Sequence, residues 1–265
     1  MPPRATLSVV IPTKNTARLL RECLESVAWA DEIVVVDMFS TDDTAAVCAD
    51  FPNCRLHERE DYIFGNVNFG FDQATSDWVM RLDTDERITP ELAAEIESIL
   101  AQPPAGVTGY ELRERRIVLG RELAHGAGRE HYRKMLFRRG AARYPVRHEH
   151  EELETSGTWL RARHGYLHYN YASVAEYLEK TNYYTDEDVP RVTLPAQPPS
   201  AGKALLEAVR AFYLYVLKWR GYRDGWVGVL DGGMRAVYQF TYWMKLRERW
   251  ERERAASQVS TRSQE

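Results

Sequence analysis

The sequence lacks the features that mark secreted, disulfide-bonded and membrane-spanning proteins. Only three of its 265 residues are cysteines, and their odd number and irregular spacing fit neither a disulfide framework nor a zinc site. No apolar run is long enough to span a bilayer, and the chain opens on a strand-like segment too short for a secretion signal. We therefore expect reduced, packed thiols at Cys23, Cys48 and Cys54 in a cytoplasmic protein.

An excess of positive charge is missing as well. The chain carries 35 Lys and Arg against 39 Asp and Glu, a formal net charge of -4. This balance argues against general nucleic-acid binding. The composition, 44% hydrophobic and 28% charged, is that of an ordinary globular protein, and 265 residues suffice for one large α/β domain or a domain with an appendage.

The first hundred residues alternate between short apolar runs and helical patterns. Strand patterns at 7–11, 33–36, 54–57 and 78–82 are separated by helical ones that end near 28, 49, 73 and 101. Continuous apolar strands between helices predict a parallel sheet covered on both faces, with right-handed crossovers. The Gly-x-Gly-x-x-Gly turn typical of dinucleotide-dependent dehydrogenases is absent after the first strand, which disfavours that class.

Polar residues follow the ends of these predicted strands. Parallel strands present their carboxyl ends at one edge of the sheet, where α/β folds bind ligands. The acidic loop 83–86 supports two interpretations: oxygen ligands for Mg²⁺ or Mn²⁺ held against a diphosphate, or a solvated turn that caps the next helix. These residues alone do not distinguish the two interpretations. The residues expected at this edge are Thr13, Asp37, Ser40, Asp83 and Asp85.

The rest of the chain has a less regular sequence pattern. Residues 106–189 mix looser strand patterns with Gly-rich and His/Glu-rich segments and predict an irregular lobe facing the strand ends, and 190–202 holds four prolines and reads as a linker. Residues 203–254 are helical, aromatic and basic, with a net charge of +5, and 255–265 are expected to be disordered. The basic helices suit an anionic membrane surface, or packing on their own domain or on a second subunit.

Four segments in a fixed order resemble glycosyltransferase family 2, the inverting nucleotide-sugar enzymes with a GT-A fold. They are residues 9–15, 29–37, 40–42 and 77–86, and the resemblance extends from 7 to about 250. Residues 29–32, 137–140 and 150–151 and the basic C-terminus resemble the branch of lipopolysaccharide core β-glucosyltransferases. The resemblance implies a Rossmann-like, mostly parallel sheet flanked by helices. It divides the chain into a nucleotide-sugar half at 1–105, an acceptor half at 106–189, the linker, and the C-terminal helical extension.

The resemblance also implies roles for single residues. Asp85 is the expected ligand of Mg²⁺ or Mn²⁺, and Asp83 the expected contact to the ribose and diphosphate of a UDP-sugar. Asp37 corresponds to the acid that reads the nucleobase, usually uracil. Further contacts to the sugar nucleotide are expected from Pro12, Thr13, Asn68 and Arg81.

A general base completes the implied site. Glu151 stands where this branch carries His-Glu before the acceptor region, and with the two aspartates it forms the candidate catalytic set. The motif is doubled in 148–151, so Glu149 is the alternative register. His168 is a candidate further contact to metal or diphosphate, or else a histidine satisfied within a Tyr-rich packing cluster.

Two positions depart from the family pattern. Thr16 follows Asn15 where relatives often have Glu, and Met38-Phe39-Ser40 replaces the usual Ser-Gly-Ser after the second strand. An apolar pair beside the nucleotide leaves the identity of the base open.

The implied activity is the transfer of a hexose, with glucose as the expected sugar, from a UDP-sugar to a saccharide or glycolipid of the cell envelope. The protein would act in the cytoplasm or as a peripheral protein on the cytoplasmic face of the inner membrane, with a homodimer through the C-terminal helices as a further expectation. A polyprenyl-phosphate glycosyltransferase and a non-catalytic carbohydrate- or sugar-nucleotide-binding homologue are the alternatives. A glycosidase using two carboxylates is another. A nucleotidyltransferase would need a Gly-rich phosphate loop that residues 9–15 lack.

Overall fold

The computed structural model describes residues 4–145 and 152–262, with the backbone alone for 257–262. Contacts between residues divide the chain into two compact units. The first comprises Met1–Arg115 and Glu130–His168, and the second Arg116–Arg129 and Tyr169–Glu265.

The first unit begins with the predicted alternation of strands and helices. Four strands pair in parallel in the order β3-β2-β1-β4, which confirms the predicted α/β class and its parallel sheet. The strands are β1 (Leu7–Thr13), β2 (Glu32–Asp37), β3 (Cys54–Glu58) and β4 (Trp78–Arg81). The helices are α1 (Ala17–Val27), α2 (Thr44–Ala49), α3 (Ile63–Gln73) and α4 (Pro90–Ala101).

Alternate residues of each central strand enter opposite hydrophobic layers, which explains why the apolar runs are continuous. Val9 and Ile11 pack in one layer with α1 and α4, whereas Val10 packs in the other with α3. A side chain at Gly70 would place its Cβ 2.3 Å from Cγ1 of Val10, so α3 packs directly on the sheet only because residue 70 is glycine.

The sheet continues in antiparallel pairing beyond β4. The order runs β4-β8-β6-β11-β5, and Met80 of β4 pairs with Leu136 of β8. These strands are β5 (Glu86–Arg87), β6 (Val107–Val118), β8 (Tyr132–Arg138) and β11 (Thr158–Tyr171). The short strands β7 (Arg121–Leu123), β9 (Ala142–Arg143) and β10 (Glu154–Thr155) complete the set, with β7 on β6 and β10 on β9.

The second unit is mainly helical. Its helices are α5 (Val174–Asp188), α6 (Ala201–Phe212) and α7 (Gly225–Arg262), and a π-helical turn, Tyr213–Lys218, follows α6. No helix among the described residues is long and apolar enough to cross a membrane.

The last helix is longer than its sequence predicts. Polar composition predicts disorder from residue 255, but α7 continues to Arg262. Ion pairs one turn apart, such as Arg249 with Glu253, and the strong helix formers Ala255 and Ala256 favour the extension.

Candidate functional site

The carboxyl ends of the parallel strands bring predicted residues to one edge of the sheet. Thr13 pairs in register with Asp37, and both are 2% exposed. Arg81 pairs with Val10, one strand further along, and the chain then leads into the acidic loop. Pro12, in register with Val36, is buried just before this edge.

Hydrogen bonds fix the two loops that follow β1 and β2. The carboxylate of Asp37 accepts from the hydroxyl of Ser40 at 2.5 Å and from its backbone N–H at 3.1 Å. The side-chain oxygen of Asn15 accepts from the N–H of Thr41 at 2.8 Å. Between these anchors Phe39 has φ +54° and is 52% exposed, so an apolar ring occupies a left-handed position that favours glycine.

Asp83 is held by two arginines. Its carboxylate accepts from Nη2 of Arg81 at 2.9 Å and from Nη2 of Arg133 at 3.3 Å. Burial alone would raise the pKa of Asp83, but the two guanidinium groups lower that pKa to about 2. The carboxylate is therefore a fixed anion.

Glu86 holds the backbone of Asp83 in place from the interior of the unit. It is fully buried, pairs with Arg133 and accepts the backbone N–H of Asp83 at 2.9 Å. Burial raises the pKa of Glu86, and the charge of Arg133 opposes that rise. Glu86 and Arg133 thus hold the acidic loop in place. Glu86 belongs to the predicted acidic loop 83–86, but neither residue is among the predicted site residues. No local pattern marks Arg133, because it meets Asp83 only when β8 joins the sheet.

Asn68 connects to the same network through Tyr144. Its amide donates to the carbonyl of Tyr144 at 2.8 Å and accepts the N–H of that residue at 3.0 Å. The hydroxyl of Tyr144 accepts from Nη1 of Arg81 at 2.6 Å. Asn68 therefore positions the tyrosine that positions Arg81, and its predicted contact with the sugar nucleotide stays a prediction.

Asp85 faces His168. Oδ2 of Asp85 lies 3.4 Å from Nε2 of His168, and Nδ1 of that ring lies 2.8 Å from Oε1 of Glu114. Burial lowers the pKa of His168, but the two carboxylates outweigh burial and raise that pKa to about 10. The structure thus brings together the two residues predicted to bind metal.

The donor atoms at this position fit a divalent cation that is shared with a substrate. Among the described residues no group of three His, Cys, Asp or Glu side chains could hold a metal alone. Mg²⁺ and Mn²⁺ need no such group when phosphate oxygens and water complete their coordination. Asp85 offers one carboxylate oxygen, and His168 would offer one imidazole nitrogen once a cation displaces the proton that the two carboxylates hold on its ring. Glu114 orients the ring from the side opposite Asp85.

The predicted general base lies in a segment that the structure does not describe. Glu151 and the alternative Glu149 both lie outside the described residues, so the choice between them stays a prediction.

Comparison with known proteins identifies the family. The family model "Glycosyl transferase family 2" matches residues 8–151, more than half of the chain. The chain belongs to this family. The lipopolysaccharide core biosynthesis glycosyltransferase LpsC of Rhizobium meliloti (strain 1021) is 27% identical over 256 residues, 94% of each chain. An uncharacterized glycosyltransferase of Rickettsia felis is 24% identical over 255 residues, 91% of this chain and 89% of the relative.

A solved structure agrees with the fold. The mannosyltransferase PcManGT from Pyrobaculum calidifontis, determined in complex with GDP-Man and Mn²⁺, aligns with a TM-score of 0.55 at 15% identity. The alignment covers 92% of this chain and 88% of that one. The predicted family and the predicted GT-A fold are confirmed, and the protein is a family 2 glycosyltransferase by sequence and architecture.

Proposed function

We propose that this family 2 protein is an inverting, metal-dependent glycosyltransferase. It would move a hexose from a UDP-sugar to a saccharide or glycolipid acceptor of the cell envelope. One observation carries the proposal: the two acids of the Asp-Thr-Asp loop have different surroundings at the carboxyl edge of the sheet. Two arginines balance the charge of Asp83, whereas Asp85 faces His168, whose ring would bind the same cation as Asp85 after losing its proton.

The nucleotide would lie along the edge formed by β1, β2 and β4. Asp37 and Thr13, which lie in register at this edge, would border the base, and Asp83 would accept hydrogen bonds from ribose hydroxyls. Asp85 would repel a diphosphate by itself, so binding both requires a cation between them. When bound, Mg²⁺ or Mn²⁺ supplies Lewis-acid stabilisation of the charge on the departing diphosphate.

The acceptor hydroxyl must lose its proton as it attacks the anomeric carbon from the face opposite the diphosphate. We assign the role of general base to Glu151, since a carboxylate within hydrogen-bond reach suits this step. A single displacement inverts the anomeric configuration, so an α-linked donor yields a β-glycoside. Residues 1–105 would supply most donor contacts and 106–189 most acceptor contacts, with 190–202 as a linker before the helices.

The relatives support these assignments. LpsC is named for lipopolysaccharide core biosynthesis, which favours a saccharide or glycolipid acceptor in the envelope. The mannosyltransferase of the same fold was determined with a nucleotide sugar and Mn²⁺, the combination proposed here. Such an acceptor would be reached at the cytoplasmic face of the inner membrane.

Nucleotide release tests the proposal. The protein is incubated with Mg²⁺ or Mn²⁺, a panel of UDP- and GDP-hexoses and candidate acceptors, and the freed nucleoside diphosphate is measured. We expect UDP release that chelation abolishes and that Asp85→Ala lowers by about a thousandfold, the scale of losing a central electrostatic contact. The control is Asp50→Ala, at an exposed aspartate paired with Arg21. Full turnover by Asp85→Ala would remove the metal role.

Two further outcomes separate the alternatives. Competition between a core oligosaccharide and polyprenyl phosphate as acceptors distinguishes the proposed activity from a polyprenyl-phosphate transferase. If calorimetry finds binding of neither UDP nor GDP in the presence of metal, the non-catalytic alternative is favoured, and the ring of Phe39 is the expected obstruction at the nucleotide edge.

A further inference from the structure

Helix α6 in the second unit is amphipathic, but its large apolar side chains face outward. The residues it buries are alanines: Ala204 is 0% exposed, Ala208 8% and Ala211 7%. A surface helix ordinarily buries its leucines and valines and exposes small or charged residues. Alanine on the inner face lets α6 pack closely against α7. The large apolar side chains of α6 are therefore exposed within the second unit.

The exposed side chains form one continuous strip, which we call the α6 face. Leu206 is 64% exposed, Leu205 and Val209 58% each, and Tyr213 53%. Their spacing of three, four and seven residues places them on one side of the helix. Leu217, 52% exposed, extends the strip into the π-helical turn. A contiguous apolar strip of this kind marks a binding surface rather than ordinary scatter.

Positive charge borders the α6 face. Arg210 is exposed at the margin of the strip. Lys203, seven residues before it on the same side of the helix, is also exposed, although its ammonium lies 4.0 Å from the ring centroid of Trp243 on α7. Lys218 and Arg220 are exposed at its far end. The one acidic residue in 201–220 is Glu207, which lies 3.5 Å from Arg210 and is partly neutralised by it.

We propose that the α6 face binds the surface of an anionic lipid bilayer. The apolar strip would enter to a depth of about 5–10 Å, as amphipathic interfacial helices do, while the basic margin contacts lipid phosphates. Exposed aromatic residues of the same unit, Trp226 at 57% and Tyr222 at 53%, are the types favoured at such an interface. The observations that support lipid binding do not involve the site in the first unit. The biological purpose of lipid binding rests on the proposed function, because the proposed glycolipid acceptor lies in such a surface.

Charge favours lipid over a second copy of the chain. A two-fold dimer through the α6 face would place the same surface on both partners and bring the basic margin of each copy near that of the other. Such like-charge contacts are unfavourable. An anionic bilayer neutralises the same margin and covers the apolar strip at once.

Vesicle sedimentation tests the proposal with the full chain. Vesicles of phosphatidylcholine alone are compared with vesicles of equal parts phosphatidylcholine and phosphatidylglycerol. We expect binding to the anionic vesicles that high salt weakens, and at least a tenfold loss in the double variant Leu206→Glu, Val209→Glu. Arg210→Glu should weaken binding to anionic vesicles severalfold. The matched control is Leu178→Glu, at a leucine of α5 that is 48% exposed and lies outside the α6 face.

Three results would overturn the proposal. They are absence of wild-type binding to anionic vesicles, equal binding by the double variant, and a concentration-dependent dimer that the double variant abolishes while vesicles stay unbound. The last would assign the face to a second copy. Asp85→Ala should bind vesicles as the wild type does, so loss of turnover and loss of lipid binding are separate readouts.

Discussion

Helices α1 and α6 have nearly the same length and opposite surfaces. In α1 the buried residues include Leu20, Leu24 and Val27, each 0% exposed, and arginines and glutamates face solvent. In α6 the buried residues are alanines, and Leu206 is 64% exposed. The hydrophobic effect explains α1 completely, because its apolar area is removed from water. In α6 the large apolar side chains stay in contact with water. Helix α1 therefore stabilises its own core, whereas α6 offers its apolar surface to a partner.

Ionic pairs also differ in how deeply they are buried. Arg133 pairs with Glu86, which is fully buried under the acidic loop. Arg252 pairs with Glu248 on α7, where both side chains are more than half exposed. A buried charge depends on its partner, whereas an exposed pair contributes little because water can replace it.

The largest effect we expect is from Arg133→Met. The variant leaves the buried Glu86 without its cation and Asp83 with Arg81 alone, so the free energy of unfolding should fall by about 3–5 kcal/mol. Chemical denaturation measures it. Arg252→Met is the matched control and should change stability by less than about 1 kcal/mol. Equal losses in the two variants would show that burial does not distinguish these pairs.

A smaller difference is expected between two leucines. Leu24→Ala removes a fully buried side chain of α1 and should cost about 3 kcal/mol. Leu206→Ala removes an exposed one from α6, so we expect a change within about 0.5 kcal/mol, as for ordinary surface substitutions. Thermal unfolding in the absence of lipid measures both. A cost of several kcal/mol for Leu206→Ala would mean that the α6 face is already covered by protein.

The smallest effect concerns Phe39, an exposed apolar residue of the first unit. Phe39→Gly should stabilise the fold by about 0.5–1 kcal/mol, because glycine adopts the left-handed backbone at this position without steric cost. Phe39→Ala keeps the strained backbone and should show no such gain. If alanine stabilises as much as glycine, exposure of the ring rather than backbone strain is the cause.

Local patterns predicted the first unit well because its information is local. Continuous apolar runs predict β1, β2 and β4, a weaker pattern predicts β3, and the acidic loop follows directly from the end of β4. The support of that loop could not be found this way. Arg133 and Tyr144 lie 50 and 63 residues from their partners Asp83 and Arg81, and only strand pairing brings them there.

The second unit shows structural features that sequence patterns do not determine. The ordinary rule for surface helices favours burial of the leucines and valines of α6, whereas its alanines face inward. Packing against α7 decides it. The length of α7 was also underestimated, because polar residues beyond 255 favoured disorder in the sequence and helix in the structure.

The two hydrogen bonds between Asn68 and the backbone of Tyr144 join positions 76 residues apart. Closing such a loop costs entropy that only later packing repays. During synthesis, a chain that has emerged as far as Asp85 carries the acidic motif but neither Arg133 nor Tyr144. Asp83 would then have Arg81 beside it but not Arg133, and Glu86 would lack its cation, until β8 is made and pairs with β4. The donor edge is therefore assembled late, after most of the first unit has been synthesised.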